Sequence, residues 1–120
     1  MKYAAIATTI ALSLSTTAFA HDEKGPHGGA VEHAGAYHVE LVAKGTSVEV
    51  FVLDGALKPI DHTGQKGLAI LIVGGKSARI QLAATGTDRL TGTAPTAIKG
   101  APKGAVQIAL PSGSTVQAKF

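Results

Sequence analysis

Apolar and polar residues alternate with a period of two over most of this chain, and the elements that pattern predicts are strands. Tyr37-His38-Val39-Glu40-Leu41 alternates cleanly, and residues 47–53 do so again with Val48, Val50 and Val52 on one face, as expected of half-buried strands. Asp54-Gly55 reads as a turn and Lys58-Pro59-Ile60 as a short edge segment. Residues 68–73 form a continuous apolar run closed by Gly74-Gly75, as expected of a buried strand. Residues 78–82, 89–93, 105–110 and 115–120 complete the set, with Thr85-Gly86, Pro102-Lys103-Gly104 and Pro111-Ser112-Gly113 as punctuation. No stretch has the 3.6-residue periodicity of an amphipathic helix. Such spacing of strands and turns predicts an all-β fold: a single antiparallel β-sandwich or barrel of about seven to eight strands over residues 30–120. Val39, Leu41, Val50, Val52, Ile70, Ile72, Ile80, Leu82, Ile108 and Leu110 are the expected core.

The first twenty residues follow a different logic. Lys2 gives a positive start, residues 4–14 are apolar apart from small hydroxyl side chains, and Ala18-Phe19-Ala20 supplies small residues at the cleavage positions. This is the pattern of a secretory signal peptide over residues 1–20, and it predicts an exported protein. The apolar run is short and threonine-rich for a membrane span, so no membrane insertion is expected after cleavage. Residues 21–29 then read as a flexible, histidine-containing lead-in.

Composition narrows the chemistry. The chain has 11 Lys and Arg against 8 Asp and Glu, and Lys2 falls in the leader, so ten basic side chains remain. They are spread evenly, without the basic stripe and interleaved aromatics of a nucleic-acid binder. There is no cysteine, and the single methionine is Met1; the processed chain therefore has no soft ligand of the kind that selects copper(I). No Gly-x-Ser-x-Gly nucleophile motif occurs, and Tyr37, Phe51 and Phe120 are too few for an aromatic substrate platform. A non-enzymatic protein is expected.

Histidine is where the chain departs from blandness. Four of the five lie within eighteen positions, His21, His27, His33 and His38, followed by Glu40. Neutral imidazole is the commonest side-chain metal ligand. Strand alternation sends His38 and Glu40 to the same face, so both reach toward one ion. His33 joins them if residues 30–33 form a paired strand. His27 precedes Gly28-Gly29, where the backbone bends readily. Cleavage after Ala20 would leave His21 with a free α-amine beside its imidazole, two nitrogen donors on one residue. The expected metal site is thus His38, Glu40, His27, His33 and His21, and nitrogen with carboxylate oxygen suits copper(II) or zinc(II) better than calcium or magnesium. Because imidazole must be neutral to ligate, binding should weaken below about pH 6.5. His62, in Asp61-His62-Thr63-Gly64, reads instead as turn chemistry with Asp61 capping the bend.

Gly25-Pro26-His27-Gly28-Gly29, followed by Gly35-Ala36-Tyr37-His38-Val39-Glu40-Leu41 and then by Val52-Leu53-Asp54 and Lys58-Pro59, resembles a stretch of heavy-metal efflux proteins. It is similar to the GPHGG…HxE-L segment of periplasmic adaptor subunits of heavy-metal RND pumps and of small exported metal-resistance proteins. The resemblance covers residues 25–59, about a third of the processed chain. It implies a β-rich periplasmic domain that handles copper, zinc, cobalt or cadmium beside a heavy-metal efflux pump component, with His27, His38 and Glu40 as the ligands that match the motif. The long helical hairpin and lipoyl-like segments of a true adaptor are lacking, which favours a free-standing carrier or buffer. The competing expectation is a periplasmic β-sandwich interaction module that binds no metal.

Overall fold

The computed structural model describes residues 24–120. The signal-peptide reading and His21 fall outside the described residues. What is described is all-β: eight antiparallel strands in one sheet that curls into a nearly closed barrel. They are β1 (Ala30–Ala34), β2 (Tyr37–Lys44), β3 (Ser47–Leu53), β4 (Lys66–Val73), β5 (Lys76–Thr85), β6 (Arg89–Thr93), β7 (Gly104–Ala109) and β8 (Thr115–Lys119). The order across the sheet is β1-β2-β3-β6-β5-β4-β7-β8. Its two edges, β1 and β8, lie side by side, so the barrel has a seam there.

Hairpins are set by their turns. Val73 pairs with Lys76 across Gly74-Gly75, whose φ values are 58° and 78°; two consecutive left-handed residues give the turn whose twist matches antiparallel strands. The inward faces build one core from Val39, Leu41, Val48, Val50, Val52, Leu71, Ile80, Leu82, Leu90, Val106 and Ile108, among others.

Two expectations need correction. Ile70 and Ile72 do not face the core: Ile72 is 50% exposed, and Ala69, Leu71 and Val73 point inward instead. A continuous apolar run does not reveal which face is buried, and the cross-barrel register settles it. The Lys58-Pro59-Ile60 segment does run beside the end of β3, through an isolated bridge from Leu53 to Pro59.

β2 and β3 are buried on both faces. Outside the barrel wall, Val42, Phe51 and Leu53 form a second small apolar cluster. Covering residues come from the chain before β1. Lys24 bridges to Ala30, Gly25 N donates to Gly29 O (2.8 Å), and Gly28 N donates to Gly25 O (2.9 Å). Residues 24–29, read from sequence as a lead-in, thus form a closed turn against the outer wall.

Candidate metal centre

The register places the chemistry-bearing residues on the outer face of β1, β2 and β3. His33 lies opposite His38, Val31 opposite Glu40, and Glu40 opposite Phe51. Same-face residues along one strand are about 6.5–7 Å apart, so the face carries a histidine rung (His33, His38) and, next to it, a carboxylate rung (Val31, Glu40, Phe51). The N-terminal turn sits on the second.

Glu40 is fully buried, and its carboxylate organises that turn. Oε2 accepts from the backbone N–H groups of His27 (2.9 Å) and Gly29 (2.9 Å). Oε1 meets His27 Nδ1 at 2.6 Å. Two glycines make this approach feasible. A Cβ at Gly25 would overlap the Glu40 carboxylate, and one at Gly29 would overlap the Leu41 carbonyl. The imidazole of His27 is stacked on Phe51, with centroids 3.6 Å apart and planes 7° from parallel. Its side chain remains 30% exposed.

The ionised carboxylate has no proton to give. In the neutral imidazole the proton therefore sits on Nδ1, and Nε2 carries the lone pair. Among the described residues Nε2 of His27 has no hydrogen-bond partner.

Beside Phe51 one cation meets two carboxylates. The Arg89 guanidinium lies 5.1 Å from the Phe51 centroid and pairs with Glu49 (3.3 Å) and Asp88 (3.1 Å). Hydrogen bonding to Arg89 holds the Asp88 carboxyl below its ordinary value, and Asp88 raises Arg89 in return.

On the histidine rung, the rings of His33 and His38 are 4.4 Å apart and tilted by 52°. His38 Nδ1 lies 3.3 Å from the Asp54 carbonyl oxygen. A carbonyl only accepts, so the neutral ring again carries its proton on Nδ1. The expected ligands are thus brought together as two pairs, His27 with Glu40 and His33 with His38. Among the described residues, no group of three or more His, Asp or Glu side chains is gathered as a metal cage.

No family model, curated protein or solved structure matches this chain. The site has to be read from its own geometry.

His62 has a structural function that its turn-like sequence conceals. β3 pairs with β6 only as far as Val50, and beyond that the β3–β4 connection takes over. Ile60 N donates to Val52 O (3.1 Å), and Val52 N donates to His62 Nε2 (3.1 Å). His62 Nδ1 then donates to Gln65 Oε1 at 3.0 Å. His62 is fully buried, and its N–H donates to Thr87 O (2.8 Å). One imidazole stands in for a missing strand. Asp61 does cap the bend: its Oδ1 accepts from Thr63 N (2.8 Å) and Thr63 Oγ1 (2.7 Å), which lowers its pKa. The single clue in the sequence was a histidine between two strands with a glutamine three residues on.

Proposed function

We propose that this protein is a periplasmic carrier or buffer for a divalent transition metal, copper(II) or zinc(II), working beside a heavy-metal efflux system and not as a catalyst. The observation that carries the reading is the ring contact between His33 and His38, 4.4 Å apart on paired strands, with His27 on the neighbouring rung. β pairing sets the two imidazoles side by side on the outer face, an arrangement that supports the reading of a shared, exchangeable ion. His21, which lies outside the described residues, would offer an α-amine and an imidazole on one residue if processing falls after Ala20.

The export signal and the resemblance of residues 25–59 to efflux-associated segments supply the cellular setting. The core is apolar and lies inside the barrel, on the opposite face of the wall from His33 and His38. The apo protein should therefore stay folded, unlike a structural zinc domain, whose folding depends on the ion.

Isothermal titration of the processed protein with copper(II) and with zinc(II) tests the proposal. Saturable binding that His33→Ala and His38→Ala together weaken at least tenfold is expected, with the thermal transition retained in chelator. No binding of either metal, or binding indifferent to every histidine on the outer face, would reject it and leave a barrel that acts by protein contacts.

A further inference from the structure

Glu40 matches the motif as a ligand, yet its geometry is that of a group that aims a ligand. Both carboxylate oxygens are occupied, by two backbone N–H groups and one imidazole nitrogen. The residue is fully buried, and the turn that buries it consists of the same residues that donate to it. An ion reaching Glu40 would have to displace His27 and Gly29 from it.

Metal-ligating histidines almost always donate their other ring N–H to a carboxylate, carbonyl or water, and that partner fixes the tautomer and orients the ring. His27 already has this arrangement. Its Nδ1 is held by a buried carboxylate at 2.6 Å, one ring face rests on Phe51 at 3.6 Å, and the side chain as a whole stays 30% exposed. We infer that Nε2 of His27 is a metal-donor atom and that Glu40 is its positioning residue, outside the coordination sphere. This rests on the metal-binding reading and refines it by moving Glu40 from ligand to orienter.

The inference has a chemical signature that a purely structural carboxylate would lack. In Glu40→Gln, the amide oxygen takes over the two backbone N–H groups of His27 and Gly29. The amide NH2 is then left facing Nδ1. To accept from it, the imidazole must move its proton to Nε2, which removes the donor lone pair while preserving the turn. Loss of such outer partners lowers metal affinity by about 10–100-fold.

The test is zinc titration of the full processed protein, 15N- and 13C-labelled, followed by NMR. In the apo protein, long-range 1H–15N couplings should show His27 as the Nδ1–H tautomer. Zinc should then shift His27 Nε2 and leave the Glu40 carboxyl carbon essentially unmoved. In Glu40→Gln the tautomer should invert and the affinity read at His27 should fall at least tenfold, with the barrel amide spectrum retained.

An Nε2–H tautomer in the apo protein, or a Glu40 carboxyl resonance that tracks zinc, overturns the inference even if Glu40→Gln fails to fold. Zinc shifts confined to His33 and His38 overturn it while the carrier reading stands. Zinc that shifts no histidine overturns both.

Discussion

Replacing His62 by alanine should be among the most damaging single changes in the barrel, although the residue sits in a connection and not in a strand. The buried Val52 N–H would lose its acceptor, at 3.1 Å, and an unsatisfied buried donor costs about 1–3 kcal/mol. Truncating a fully buried ring adds roughly 2 kcal/mol of lost packing and cavity. Gln65, itself buried, loses its 3.0 Å partner as well and keeps its amide contact to the Asp61 carbonyl. The total is about 3–5 kcal/mol, a large share of the ~5–15 kcal/mol available to a domain. At about 4–8 °C per kcal/mol for a domain of this size, the midpoint should fall by roughly 12–40 °C. Thermal unfolding followed by circular dichroism measures it. A loss below about 1 kcal/mol, or NMR evidence for the Nε2–H tautomer of His62, would refute the reasoning, because Nε2 must carry the lone pair to accept from Val52.

Other outcomes follow from the same structure. Leu71→Ala should cost about 2–5 kcal/mol and its neighbour Ile72→Ala about 0.5 kcal/mol or less, since Leu71 is fully buried and Ile72 is half exposed; equal losses in denaturant titrations would mean that the β4 face is misassigned. Gly25→Ala should push the N-terminal turn off Glu40, costing about 1–3 kcal/mol as overpacking does; hydrogen exchange should report lost protection at the His27 and Gly29 amides, with the β4–β5 amides unchanged. Asp61 and Asp88 both have carboxyls lowered from the ordinary value of 3.8 by hydrogen bonds to Thr63 and Arg89. The unfolded chain binds protons there first, so their stabilisation is complete above about pH 4 and lost as pH falls through the lowered values. Carboxyl 13C titration midpoints at or above 3.8 would reverse that sign.

The strands were legible because alternation is local: side chains on β2, β3 and β7 report their face in two or three residues. Ile70 and Ile72 were not, since an unbroken apolar run has no phase until its partners set one. Glu40 shows a deeper limit. Its position beside His38 correctly gave the outer face, but outer does not mean solvated once residues 24–29 fold over it. That closure depends on Gly25 and Gly29 lacking a Cβ against Glu40, Leu41 and Val42, twelve to fifteen positions away, a fact of packing that no short window contains. His62 was hidden for the same reason, its partner Val52 being ten residues back in another strand.

The seam between β1 and β8 shapes how the molecule is put together in time. Every hydrogen-bonded strand pair but two, β3 with β6 and β4 with β7, is a hairpin between sequence neighbours. Bringing β1 to β8 instead closes a loop through nearly all the described chain, and distant contacts are the slow ones to form. The hairpins should therefore assemble first and the barrel close last, after both edges have been exposed. β1 has only five residues and β8 ends in Lys119. Short, charged edges resist pairing with a second molecule during that interval. The histidine rung belongs to the hairpin that borders this late-closing gap, so the same short edge that limits aggregation also completes the candidate site.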